Sequence, residues 1–320
     1  MKKREYVKRK LRYSDRSLML LSLPTVLWYI CFCYLPLFGI IMAFKKYRLV
    51  PGKGFLYSLF AGSRWVGLDN FRYLFMNPQM GTVIRNTVLY NLAFLALDLA
   101  LPVALAIALS YLRSGRLRSA VQTASMFPHF ISWMIVSYFA FAFLSTDRGL
   151  LNSLLRTFGK QSVSWYQTPG VWLWLLTLIH VWKGFGYAMV LYYSYVIGID
   201  QSLYESAAID GAGTAGMIRY ITLPQLKGVI VAMGLLSLGG IFSSDFGLFY
   251  QVPRNSGAIL STTQTVDVYI YKALMDQANY GFSAAGSLFI MGGEHAEIGS
   301  EDIFPSTVTD VIHALPERFR

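Results

Sequence analysis

Between Leu18 and Phe44 the sequence contains no charged side chain. A helix of about 20 apolar residues crosses a bilayer core, so this run alone is long enough to span one. Further predominantly apolar runs follow at Asn86–Leu112, Val121–Leu144, Val171–Ile197 and Val229–Tyr250. Lipid offers the backbone no hydrogen-bond partner, so runs of this kind fold as helices that satisfy themselves. The composition agrees. The chain is 55% hydrophobic and only 14% charged, against about a quarter charged in soluble domains. An all-α polytopic membrane protein is expected.

Charge sets the expected orientation. The formal net charge of +11 is concentrated: eight of the first sixteen residues are Lys or Arg, directly ahead of the first span. That density is the positive-inside pattern of a cytoplasmic N-terminus rather than a nucleic-acid surface. The apolar run is also too long for a secretory leader, so it reads as an uncleaved anchor. Arg113, Arg116 and Arg118 suit a cytoplasmic loop after the second span. The loop after the first span is less obliging, because Lys45, Lys46, Arg48, Lys53, Arg64, Arg72 and Arg85 would lie outside the cell. Cys31 and Cys33 stand two apart within the first span. They point to nearly opposite helix faces, so buried apolar thiols are expected rather than a disulfide or a metal site.

Polar residues at membrane depth are candidate functional groups because the bilayer makes them expensive. His180, Lys183, Gly184 and Tyr187 recur at helical spacing and share one face of the fourth span. Asn91 and Asp98 share a face of the second, His129 and Ser132 one of the third, and Asp245 comes late in the fifth. Together they read as a polar lining for a solute pathway. The plainer reading is a set of interhelical hydrogen bonds that holds the bundle together. Gly239, Ser243 and Gly247 form a small-residue stripe suited to close helix packing, with a partner subunit as one possibility. No phosphate-cradling glycine loop, nucleophile elbow or zinc-protease motif occurs, so energy for uphill movement must come from elsewhere.

Between the fourth and fifth spans lies a polar island of small residues, Tyr204–Ala212, closing at Ile221-Thr222-Leu223-Pro224. Ser202 and Glu205 have the spacing of a capping box, which starts a short helix near Leu203. Gly211 falls where that helix needs a left-handed residue to stop. A second short helix is expected over Thr214–Ile221, and Pro224 fits the first turn of the next span.

The island resembles the signature of permease subunits from binding-protein-dependent ABC importers: Glu-Ala-Ala, three residues, Gly, nine residues, Ile-x-Leu-Pro. Glu205, Ala207 and Gly211 match its spine, Ser206 replaces the usual first alanine, and Ile221, Leu223 and Pro224 close it. Val66–Phe71, Gly149–Asn152, Asp210-Gly211-Ala212 and Ser244–Tyr250 look like the carbohydrate branch of that family, the last like permeases for complex oligosaccharides. The resemblance implies a six-span permease fold and a bacterial cytoplasmic (inner) membrane location. It implies a second permease as partner in a heterodimer, two ATPase subunits and an extracellular or periplasmic sugar-binding protein. ATP and magnesium would belong to the ATPase, leaving this chain without cofactor, metal or catalytic residue. Glu205, Ala207, Ala208, Asp210, Gly211, Ile221, Leu223 and Pro224 would receive the ATPase. Asp98, His129, His180, Lys183, Tyr187 and Asp245 are the pathway candidates.

The expected organisation is a basic cytoplasmic tail over 1–17, a permease domain over 18–290 with coupling helices at 202–224, and an atypical tail over 291–320. The family completes a sixth span, but Glu294, His295, Glu297, Glu301 and Asp302 interrupt this one. From Gly286 onward the sequence reads either as a frameshifted 3′ end or as a genuine variant. An ion-coupled transporter and a membrane-embedded enzyme are the rival readings. The first would carry inverted repeats, of which none is visible, and the second finds no motif spacing among His129, His180 and Asp245.

Overall fold

A computed structural model describes the backbone of residues 13–298 and the side chains of residues 19–292. The basic cluster up to Arg12, and the tail from residue 299 onward, lie outside the described residues. Four helical runs within them are long and apolar enough to cross a membrane: Met19–Phe44, Pro78–Ser110, Pro169–Ile197 and Thr214–Leu238. Gly115–Phe130 and Trp133–Leu144 pass the same test only as a pair, bent by 97° at the break between them.

The second span is the axis of the bundle. Met80 and Val83 near its start join Val266, Ile270 and Phe282 in one apolar cluster. Tyr90 and Phe94 pack with Trp172, Leu176, Leu248 and Phe249 in another. Val103, Ala106 and Ile107 meet Met189, Tyr192, Val196 and Leu226 in a third. The fourth span shares two of these clusters, so the second and fourth spans form the central pair.

Several boundaries differ from those read in the sequence. The second span begins at Pro78, two turns before Asn86, because Asn77 caps it by accepting from the Gln79 N–H (3.0 Å). Proline at the first helical position loses no bond. The fifth span starts at Thr214 and stops at Leu238, so the expected run from Val229 to Tyr250 is not one helix. Gly239, Ser243 and Gly247 therefore do not form a stripe on a single helix. Gly247 instead lies under the Trp133 ring, where a Cβ would collide with the indole. Cys31 and Cys33 are exposed rather than buried. Their span touches the rest of the chain mainly toward Phe44, leaving its middle open.

Two π-helical turns mark two of the prolines. Ile30–Tyr34 precedes Pro36, and Ile218–Thr222 precedes Pro224. A proline ring in a helix clashes with the carbonyl four residues back, here that of Phe32 and of Tyr220. A widened turn at those places lets the helix continue.

Where a truncated apolar stub was expected, a helix runs from Tyr280 to Ile298. Phe282 and Ala285 on it are buried, and Phe289 meets Phe75 and Phe242 edge to face. The helix packs on the end of the first span and on Asp69–Met76 and Val266–Met275. It is 19 residues long, but Glu294, His295 and Glu297 fall in its final turns. It is not among the helices apolar enough to cross.

Candidate functional site

Two regions carry the candidate residues: an elbow between the fourth and fifth spans, and a polar cluster inside the bundle.

The elbow's first helix is Gln201–Ile209. Asp200 caps it, its carboxylate accepting from the Ser202 N–H (3.0 Å). The expected Ser202–Glu205 capping box does not form, because the helix starts two residues earlier than that motif requires. The same bonds from Ser202 hold the Asp200 carboxyl below its ordinary range. At the other end Gly211 has φ +79°, the left-handed value expected of it. Ala212 donates to the Ala207 carbonyl (2.9 Å) and Gly211 to that of Ala208 (3.1 Å). These paired bonds are a Schellman stop. The chain then turns at Gly213 into a helix that runs without interruption from Thr214 to Leu238. The second short helix and the fifth span are thus one piece.

One contact fixes the elbow to that piece. The Tyr204 hydroxyl lies 2.9 Å from Thr222 Oγ1, which is buried within the π turn. Burial, and after it the neighbouring Tyr204, raises the Tyr111 phenol above its usual value, so the elbow also sits beside the end of the second span. Glu205, Ala208, Asp210 and Gly211 are exposed, Ala207 and Ile221 half-buried, and Leu223 and Pro224 exposed. Sequence reasoning passed over Ile209, which is 87% exposed at the tip of the elbow. An aliphatic side chain so placed, next to a glycine stop, is the signal that was available.

Within the bundle the pathway candidates fall into pairs. His180 Nε2 and Asp98 Oδ2 are 2.9 Å apart, joining the fourth span to the second. The imidazole lies flat on Phe94, its centroid 3.7 Å away and tilted by 3°. Three residues on, Lys183 donates to the carbonyl of His129 (2.6 Å) and stands over the Trp133 ring at 5.1 Å. The His129 ring stacks on Tyr187 at 4.7 Å. Asp245 caps Phe246–Gln251, accepting from the Leu248 N–H (3.2 Å), and its charge acts on Lys183.

Lys183 therefore acts on a break. The third span stops at Phe130 and restarts at Trp133, and the carbonyls that end its first half need donors. The ammonium group supplies them. Asn91 does the same for the fifth span, where the chain leaves its helix after Leu238. Its amide donates to the carbonyls of Ile241 (2.7 Å) and Ser243 (2.6 Å). Irregular backbone at membrane depth persists where neighbouring side chains satisfy it. The sequence placed Asn91 beside Asp98 on a polar face. The fold gives the two different work.

The comparisons with known proteins agree with this arrangement. Residues 100–291 match the family described as binding-protein-dependent transport system inner membrane component. The chain is 32% identical over 275 residues to the polygalacturonan/rhamnogalacturonan transport system permease protein YteP of Bacillus subtilis, covering 86% of this chain and 83% of that one. Protein LplB of the same organism is 30% identical over 275 residues, covering 86% and 84%. A bacterial ABC transporter involved in the import of the acidic polysaccharide alginate superposes with a TM-score of 0.77 at 29% identity, covering 89% of this chain and 96% of that one. A structure of the alginate transporter in complex with an alginate pentasaccharide-bound periplasmic protein gives 0.78 at 29% identity, covering 89% and 92%. Membership sets aside both the enzyme and the ion-coupled carrier. This chain belongs to the family of binding-protein-dependent transport system inner membrane components.

Proposed function

We propose that the chain is one of two permease subunits forming the pathway of an oligosaccharide importer. Separate ATPase subunits would drive it, handling ATP and magnesium, and an external binding protein would deliver the sugar. The oligosaccharide class is supported by the relatives, whose names refer to polygalacturonan, rhamnogalacturonan and arabinooligosaccharides. Asp98, His129, His180, Lys183, Tyr187 and Asp245 are the residues of this chain assigned to the pathway.

The observation that carries the reading is the tie between Tyr204 and Thr222. It makes Gln201–Ile209 a rigid projection of the fifth span, suited to receiving motion from a partner. Small exposed residues at Ala208 and Gly211 let that partner approach closely. Four crossings precede the elbow when the bent pair counts as one, which puts it on the N-terminal side of the membrane. The basic cluster at 2–16 supports a cytoplasmic reading of that side.

Co-purification tests the assignment. An ATPase subunit should be retained by the wild-type chain and lost when Glu205 or Gly211 is altered. Retention unchanged by both substitutions would sink it.

A further inference from the structure

Phe44 ends the first span, and the next residue begins a two-stranded ribbon, Lys45–Lys46 against Arg64–Trp65. The ribbon therefore starts at the level where the span leaves the hydrocarbon. In its register Lys46 stands directly opposite Arg64. Like charges in that position repel, and both side chains are exposed. Among the described residues neither takes part in an ion pair. Between Lys45 and Asn77 the sole carboxylate is Asp69, against six basic residues.

The pair is held in register rather than free to splay. Lys45, one position away, is buried and donates to the carbonyls of Leu59 (2.7 Å) and Phe60 (3.3 Å) at the end of the helix Phe55–Phe60. Asn70 donates to the carbonyl of Lys45 (3.1 Å), and Ser63 Oγ accepts from the Arg48 N–H (3.0 Å). The same small unit exposes a set of apolar side chains. Leu49, Leu56, Phe60 and Trp65 are each 58–67% exposed.

From this arrangement we infer that the ribbon binds the headgroup of an anionic phospholipid, Lys46 and Arg64 sharing its phosphate while the helix Phe55–Phe60 rests in the adjoining leaflet. Aromatic side chains settle at this depth on either face, and cations within a Debye length of anionic headgroups gain from them, here in the leaflet opposite the N-terminal side. A soluble polyanion would answer the charges but not the exposed Leu49, Leu56 and Phe60. The site is independent of the cargo and of the elbow.

Native mass spectrometry of the full-length chain, released from nanodiscs containing phosphatidylglycerol and phosphatidylcholine in equal amounts, reads the preference directly. The wild type should retain phosphatidylglycerol over phosphatidylcholine by about tenfold, as two juxtamembrane cations allow. The double variant K46Q/R64Q should retain the two lipids almost equally, while R72Q keeps the preference. Equal retention by the wild type, which requires no variant to fold, overturns the proposal. So does a preference that survives in K46Q/R64Q, or displacement of the bound phosphatidylglycerol by a water-soluble oligogalacturonate.

Discussion

Asp98 and His180 meet at 2.9 Å across the two central spans, with the imidazole lying on the face of Phe94. The side chains are 38% and 21% exposed, so the pair sits at an edge of the bundle rather than in its core. Asparagine keeps a hydrogen-bonding oxygen opposite the imidazole. Asp98→Asn should therefore fold, with thermal unfolding in detergent little changed. Solute uptake by the assembled transporter should nonetheless fall severalfold, because the carboxylate that orients His180 is gone. Uptake at the wild-type rate would remove both residues from the pathway.

Lys183 has a different part to play. Lys183→Met leaves the His129 carbonyl at the break of the third span without its donor, at a cost of about 1–3 kcal/mol. Lys183→Arg retains a donor and should recover most of that loss. Thermal unfolding of both variants separates a missing hydrogen bond from a missing charge in transport.

Gly186 faces the carbonyl of Ser125, and a Cβ there would overlap it. The obstacle is backbone, so no rotamer change relieves it. Gly186→Ala should destabilise the chain by roughly 1–3 kcal/mol. Gly184, with nothing close to it, should accept alanine without loss in the same unfolding assay.

Gly211→Leu places a branched side chain at φ +79°, where ordinary residues lose about 1–2 kcal/mol. The stop after Ile209 should loosen without disturbing insertion of the spans. Sugar uptake should be lost while the chain still reaches the membrane. Uptake at the wild-type level would contradict the coupling role.

The Asp200 cap gives the elbow a pH dependence of defined sign. Its carboxyl is held below the ordinary value by the Ser202 bonds, so the cap contributes fully above the usual carboxylate range near ~4. It is lost as pH falls through the lowered folded value. A spin label at Ser206 should stay immobile at neutral pH and gain mobility only under acid. In Asp200→Ala the label should be mobile throughout.

Which parts of this were legible depended on what each residue answers to. Gly211 was readable because a helix stop needs a left-handed residue wherever the helix begins. Asp200 was missed because Ser202 and Glu205 offered a competing cap, and only the true helix start decides between them. Asn91 and Asp98 share a helix face, yet one fastens broken backbone and the other holds a histidine. Periodicity places a side chain on a face but does not say which carbonyl opposite it lacks a donor. The early end of the fifth span was hidden for a related reason. Gly239 to Ser244 remain apolar enough to pass for helix, and it is the Asn91 amide on another span that makes leaving the helix affordable. The exposed thiols of Cys31 and Cys33 show the limit of equating apolar with buried, since in a bilayer the outside of the protein is apolar too.

Thr214 to Leu238 is a single helix of 25 residues, about 37 Å from end to end. One end belongs to the elbow and the other is fastened near Asn91. Beyond the turn at Gly211–Gly213, which the Tyr204–Thr222 contact spans, a push on Ile209 meets one irregular point in that helix, the π turn at Ile218–Thr222. That turn is also where Tyr204 takes hold. Efficiency of the working stroke then becomes a matter of stiffness. The more compliant those five residues are, the more of each stroke is absorbed as bending before it reaches the far side of the membrane.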